Sequence, residues 1–590
     1  MSRQHLSLKK LFLLIICLFL ATGLTAKKTE FLSAENLPDE GPWVVLTHYQ
    51  DKADVLALKP FYDLWKLDEK SQTVLMVVDN RIDFQELITR GFKVELHPEL
   101  MQQHVFLKEQ KIAGIKTIDN FPCYRTVIET FDAMDDMLAD HPTLVTLVDI
   151  GDSWHKANDT GVNDTSDGHD MQVVKITNSA IIDPNKPILY AMGAIHAREY
   201  PTAELVTRFA EHLLSEYGNN PDVTWLVDYH EIHLLLQGNP DGREISETEP
   251  SPNQRKTQNE DFCFAGNQQG VDMNRNFLFK WNEGVCGFGG CSSGNACSQV
   301  FRGDSAVSEP ETMAINEYIK TLFPDDRMDD INDPAPLTKP GVYLDIHNFG
   351  GLTLFPWGYG DSLPQAPNHD QMQTLARRMS FYTGYRPEQS NASLGGADGA
   401  SDDNAYGALG VAAYTIELGS DAGFYSSCSY FDNTIWPDNL PALIYAAKAS
   451  RMPYITASGP DVISLPQQPI QVSVGQMINL SGTATDLQFN NGAVGTGNEP
   501  TQNITGIKAY INTPSWVNGS VAVDMIAVDG NFDSETEVFS GAIDSTGLTQ
   551  GRYFVWFEAT DAGGVQGVPS AIFVDVKAPN DLIFVDGFED

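Results

Sequence analysis

An α/β core built on a mixed sheet, set between a small N-terminal α+β domain and a C-terminal β-sandwich, is the architecture this sequence predicts. Its 590 residues exceed what one hydrophobic core supports. From about residue 121 to 449, apolar runs alternate with amphipathic helical stretches: VIETFDAMDDMLADHP, LVTLVDIG, PILYAMGAI and TAELVTRFAEHLL follow one another. That alternation marks helices packed on a sheet. Around residues 452–470 the composition shifts to Pro, Ser, Gly and Gln. Short strand-like runs separated by Gly, Asn and Asp turns then continue to RYFVWFEATDAGG and SAIFVDVK.

Taken in order, residues 1–26 carry Arg3, Lys9 and Lys10, an apolar run from Leu11 to Leu20, and small residues ending at Ala26. This is the layout of a secretory signal peptide. The run is shorter than the roughly 20 apolar residues a membrane span needs. The mature chain is expected to be secreted, extracellular or periplasmic or on the cell surface, with no membrane span after signal removal. Residues 27–118 mix strand-like runs (WVVLTHY, TVLMVVD, FKVELH) with helix-like stretches around residues 54–66, and end in the lysine-bearing segment KEQKIAGIK. They read as a pro-like domain followed by a cleavable linker. The core follows at 119–451, a linker at 452–468, the sandwich at 469–577, and an acidic tail with one apolar patch at 578–590.

The formal charge of −41 becomes more negative by three when the signal cations are removed. Such a surface repels phosphate backbones and acidic membranes, so nucleic acid is excluded as a partner. Cys17 goes with the signal, leaving Cys123, Cys263, Cys286, Cys291, Cys297 and Cys428, an even number in a compartment that permits disulfides. The cluster from Cys263 to Cys297 predicts at least one bridge within itself, and no CxxC pair supports a zinc finger.

The chemistry begins in IHAREY, where a strand over residues 187–194 runs into a turn holding His196, Arg198 and Glu199. An imidazole and a carboxylate three residues apart at a strand end can converge on one ion. A third ligand is available at His347, delivered by the apolar strand of VYLDIHNFGG. Two His and one Glu leave a tetrahedral zinc with one open position. HEIH at residues 230–233 lacks HExxH spacing and lies in an apolar strand, which makes it structural. The segments NDTGVNDTSDGHD (158–170) and VDGNFDSETE (528–537) are rich in oxygen ligands suited to Ca2+, without EF-hand spacing.

HxxE, NPDG (Asn239 to Gly242), GVDMNRNF (Gly270 to Phe277), FRGDSAVSEPE, DIHNFGG and TIELG occur in one order, and over residues 119–450 the chain resembles the zinc carboxypeptidases. The resemblance implies a mixed eight-stranded sheet flanked by helices, one Zn2+ held by His196, Glu199 and His347, and Asp272 as the carboxylate orienting a ligating imidazole. It also implies Glu417 as general base and Arg255 as the group stabilising the oxyanion. Asn274 and Arg275 would grip the terminal carboxylate of peptide substrates, with Arg198 a further contact on the entry route. Position 395, where the family's mobile tyrosine falls, is Gly. Asp402, fifteen residues before Glu417, falls at the floor of the specificity pocket and would favour terminal Lys or Arg. The implied function is a metallocarboxypeptidase. An inert peptide-binding or adhesive module and a zinc acyl-hydrolase of small amides are the alternatives; oligomeric state is not legible.

Overall fold

A computed structural model of the chain describes residues 31–578, leaving aside 34–36, 38–42, 59–61, 69, 79, 98–99, 101–116, 119–120, 159–167, 249–253, 264–268, 288–290, 329, 393–394, 420–422 and 490–498. The signal peptide, the segment around Lys108 to Lys116, most of the 158–170 loop and nearly all of the acidic tail lie outside the described residues. Among the described residues no helix is long and apolar enough to cross a membrane.

In the N-terminal domain, strands β1 (Trp43–His48), β2 (Asp63–Asp68), β3 (Thr73–Val78) and β4 (Lys93–Leu96) form an antiparallel sheet in the order β2-β3-β1-β4. Alternate residues of a strand face opposite sides of its sheet. Trp43 and Val45, with Val74, Met76 and Val78, enclose the domain's own core with helix Arg81–Thr89. Val44, Leu75 and Val77 point the other way and join the core of the following domain. The unbroken apolar run TVLMVV is thus buried on both faces. The helix-like reading of residues 54–66 holds only for Lys52–Leu56, capped by Asp51. Residues from Asp63 onward pair with β3 as β2.

The central domain contains the predicted mixed sheet: β5 (Val145–Asp152), β6 (Asp170–Ile176), β7 (Ile188–Met192), β8 (Glu231–Leu235), β9 (Val342–Asn348), β10 (Leu352–Phe355), β11 (Arg386–Gln389) and β12 (Ala412–Leu418). They lie in the order β11-β10-β12-β9-β7-β8-β6-β5. Strands β12, β9, β7 and β8 are mutually parallel, so their C-terminal ends share one edge of the sheet. In that register Glu417 lies opposite His347 and Thr415 opposite Asp345. Helices Val127–Asp140, Tyr200–Glu216, Pro310–Leu322, His369–Thr383 and Trp436–Ala449 cover the sheet. Thr126 and Glu129 form a capping box on the first of these. Disulfides join Cys123–Cys428, Cys263–Cys297 and Cys286–Cys291, two of them inside the expected cluster.

The C-terminal domain is a sandwich of β13 (Asp461–Ile463), β14 (Ile470–Ser473), β15 (Met477–Thr485), β16 (Ile504–Ile511), β17 (Ala522–Asp524), β18 (Ile526–Ala527), β19 (Thr536–Asp544), β20 (Gly551–Asp561) and β21 (Ser570–Lys577). Its sheets are β13-β15-β19-β18 and β14-β21-β20-β16-β17, facing across a core that includes Ile478, Phe539, Val555 and Phe557. Strand β13 falls inside the stretch expected as linker; three residues between Gly, Pro and Ser are too few to show a strand's period. The sandwich is packed onto the central domain. Asp222 accepts from Lys448 Nζ (2.6 Å) and from the backbone N–H of Ala571 (2.9 Å), and Arg378 lies 4.2 Å from the centre of the Phe489 ring. In the 528–537 segment the carboxylates serve the turn: Glu537 accepts from the N–H groups of Asp533 and Ser534, and Glu535 from Thr501. No group of three potential metal ligands converges there among the described residues, so Ca2+ finds no support.

Candidate metal centre and substrate groove

His196 and Glu199 occupy the turn between β7 and helix Tyr200–Glu216. Gly193 permits that turn, since a Cβ there would stand 2.7 Å from the Thr202 carbonyl oxygen. His347 is the penultimate residue of β9 and, with its register partner Glu417 on β12, points to the same side of the sheet, the two backbones about 4.8 Å apart. His196, Glu199 and His347 are all buried and are the one group among the described residues whose ligand atoms converge as a metal site would require, within 4.8 Å of one another.

The geometry fits a cation. His196 Nδ1 is 2.8 Å from Glu199 Oε1 and 3.1 Å from His347 Nδ1, and His347 Nδ1 is 3.3 Å from Glu199 Oε2. Each imidazole's other nitrogen faces a buried carboxylate: His196 Nε2 is 3.1 Å from Asp272 and His347 Nε2 is 2.9 Å from Asp345. Those carboxylates hold an N–H at Nε2 and leave two Nδ1 lone pairs facing one another beside a third acceptor, an arrangement satisfied by a cation at its centre. Two imidazoles and one carboxylate are the donor set of a catalytic Zn2+ with an open position. Burial opposes the charge on Glu199, but His196 and His347 more than reverse it and hold the carboxyl well below its usual range. Burial likewise opposes charge on Asp272, which Arg255 and His196 keep strongly acidic.

Asp345 escaped the sequence reading. Its signal is present in DIH, since residues two apart on a strand share a face, but one more buried carboxylate in an apolar run carries no role until the imidazole it supports is known.

Arg255 donates from Nη2 (2.9 Å) and Nε (3.2 Å) to Asp272 Oδ2, and its Nη1 is 3.1 Å from His196 Nδ1. Its fixed charge therefore stands beside the metal position. Asn274 lies with Nδ2 3.2 Å from His347 Nε2 while its Oδ1 accepts from the Ser401 N–H. Arg275 is buried alongside, donating to the carbonyls of Asn274 (2.6 Å) and Cys291 (3.3 Å). Arg198 is buried with its guanidinium 4.2 Å from the centre of the Phe424 ring. One groove is lined by His196, Arg198, Glu199, Arg255, Asn274, Arg275, His347, Asp402 and Glu417, so every site residue picked from the sequence borders it except Asp272, which lies behind His196.

Gly395 also lines the groove, with no ring to offer at that position. Asp398, Asp402 and Asp403 lie close together in the sequence, and of the three Asp402 borders the groove. Asp398 accepts from the Gly284 N–H and Asp403 from the Gly358 N–H. The opposite wall belongs to the N-terminal domain: Val55, Tyr62, Leu64, Trp65 and Leu67 face the same space. Trp65 packs edge-on against Phe424 (4.6 Å between ring centres) and Phe349 (6.2 Å).

Three ligand residues suited to one metal ion at the C-terminal ends of the parallel strands, with an arginine beside them and a groove in front, make the arrangement of a metal-dependent hydrolase. The model of the zinc carboxypeptidases, peptidase family M14, matches residues 130–440, more than half of the sequence, and the chain belongs to that family of zinc peptide hydrolases. It is 28% identical over 334 residues to mouse carboxypeptidase A2, covering 55% of this chain and 68% of that one. It is also 28% identical over 310 residues to the zinc carboxypeptidase of Saccharothrix mutabilis subsp. capreolus, covering 51% and 64%. Among solved structures, the carboxypeptidase A of Helicoverpa armigera shares the fold with a TM-score of 0.53 at 22% identity, over 69% of this chain and 98% of that one.

Proposed function

We propose that this chain is an exported metallocarboxypeptidase that removes single residues from the free C-termini of peptides, and that terminal Lys or Arg is its preferred substrate. The observation that carries the reading is the His196–Glu199–His347 group bordering a groove that Asn274, Arg275 and Asp402 also line. Bound there, Zn2+ would supply Lewis acidity toward the scissile carbonyl and lower the pKa of water. Glu417 takes the proton of the attacking water and passes it to the leaving amine. Arg255, oriented by Asp272, stabilises the charge that develops on the carbonyl oxygen. Asn274 and Arg275 hold the substrate's terminal carboxylate, a planar acceptor suited to guanidinium, and Arg198 meets the chain on its way in. The three disulfides suit an oxidising compartment and so support export.

Removing the metal tests the centre. Dialysis of the mature enzyme against a chelator abolishes release of amino acids from peptides, and added Zn2+ restores it; activity unaffected by complete metal removal contradicts the reading. Arg255→Ala is expected to lower kcat by about 10²–10³ with a smaller change in KM, measured by steady-state kinetics, as for loss of one oxyanion donor.

A further inference from the structure

Asp402 is a buried carboxylate at the groove, and among the described residues it forms no ion pair. The charged and titratable groups around it are mostly of the wrong sign. Asp403 is its neighbour on helix Ser401–Leu409, and β9 presents Tyr343, Asp345 and His347. Arg275 is near enough for its charge and that of Asp402 to act on one another, but its guanidinium is hydrogen-bonded to the carbonyls of Asn274 and Cys291 and forms no ion pair with Asp402. A buried carboxylate without a cation holds its proton until one arrives.

The hydrogen bonds around Asp402 accommodate both states. Its Oδ1 accepts from the Asp403 N–H at 2.8 Å. Its Oδ2 is 3.0 Å from Ser390 Oγ, and the same Oγ is 3.0 Å from the carbonyl oxygen of Phe355. A hydroxyl has one hydrogen and can also accept. With Asp402 protonated, the carboxyl donates to Ser390, which donates to Phe355, and both contacts are hydrogen bonds. With Asp402 ionised, Ser390 turns its hydrogen to the carboxylate.

We propose that the floor of the groove exchanges one proton for the charge of the substrate: Asp402 accepts apolar C-terminal residues when protonated, and Lys or Arg when ionised. Binding a basic end then releases a proton from Asp402 to solvent, whereas binding an apolar end releases none. The direction of its titration agrees, since burial raises the Asp402 carboxyl above its ordinary range against the pull of the Asp403 N–H and Ser390. This proposal rests on Asp402 flooring the specificity pocket.

The test is the ratio of kcat/KM for a peptide ending in Arg to that for the same peptide ending in Phe, measured on the mature zinc enzyme from about pH 5.5 to about pH 9. Ionisations of Glu417 and of the metal centre are common to both substrates and cancel in the ratio. The expected ratio rises with pH by at least tenfold overall, with a slope approaching tenfold per pH unit as exchange of one linked proton requires. In Asp402→Asn, close to isosteric, the ratio is low and independent of pH. A high, pH-independent ratio in the wild type overturns the proton exchange while leaving the basic preference intact. A ratio that favours Phe throughout overturns the basic preference itself. A transition that persists in Asp402→Asn assigns the proton elsewhere and also overturns the proposal.

Discussion

Glu417→Gln lowers kcat by about 10²–10⁴, the range that positioned proton transfer supplies, and leaves Zn2+ content and KM nearly unchanged. The reason lies in β12. Glu417 is the penultimate residue of β12, beside His347, and burial pushes its carboxyl up to about 8, with Glu199 adding to the rise and His347 and Arg255 opposing it. A divalent cation held by His196, Glu199 and His347 would add positive charge nearby and lower the carboxyl, toward the range in which Glu417 could accept a proton near neutral pH and return it. Gln keeps the shape and the hydrogen-bonding reach but cannot carry the proton. Steady-state kinetics with metal analysis on the same sample checks this; a kcat within a few-fold of wild type removes Glu417 from the reaction.

The second large effect concerns the N-terminal domain. With Trp65 against Phe424 and Phe349, and Leu64, Leu67 and Tyr62 facing the groove, a peptide entering it would compete with this domain for the same space. Leu100 extends the contact: a Cβ on Gly423 would stand 2.7 Å from its side chain. We therefore expect the full chain to be nearly inactive and to gain about a hundredfold or more when the domain is removed by cleavage between residues 101 and 118 and separated, as for an enzyme whose competent state is about 1% populated. Trp65→Ala in the uncut chain raises its activity by about tenfold for each 1.4 kcal/mol of packing lost. Equal activity of cut and uncut enzyme contradicts the cover.

How much of this was legible depends on where each signal resides. The mixed sheet was readable because its strands alternate with helices and because β9 and β12, covered on both faces, are largely apolar; the number of strands came only from the resemblance. His196, Glu199 and His347 were readable because strand ends deliver them. Asp402 was picked over Asp398 and Asp403 by its distance from Glu417 alone, and the start of its helix is what turns it, and not its two neighbours, toward the groove. Ser390 carried no signal at all: its role exists only through the proximity of Phe355 and Asp402. Strand β2 was obscured because a short capped helix and a proline precede it, and β13 because three residues show no period.

The most direct test of the central claim is mass spectrometry of peptides of one sequence, with free or amidated C-termini, incubated with the mature zinc enzyme. Stepwise loss of single residues from the free end only, stopped by a chelator, is the result expected if Asn274, Arg275 and Asp402 receive the terminal residue. Internal cleavage, or equal attack on amidated ends, would contradict the carboxylate grip and with it the assignment as a carboxypeptidase.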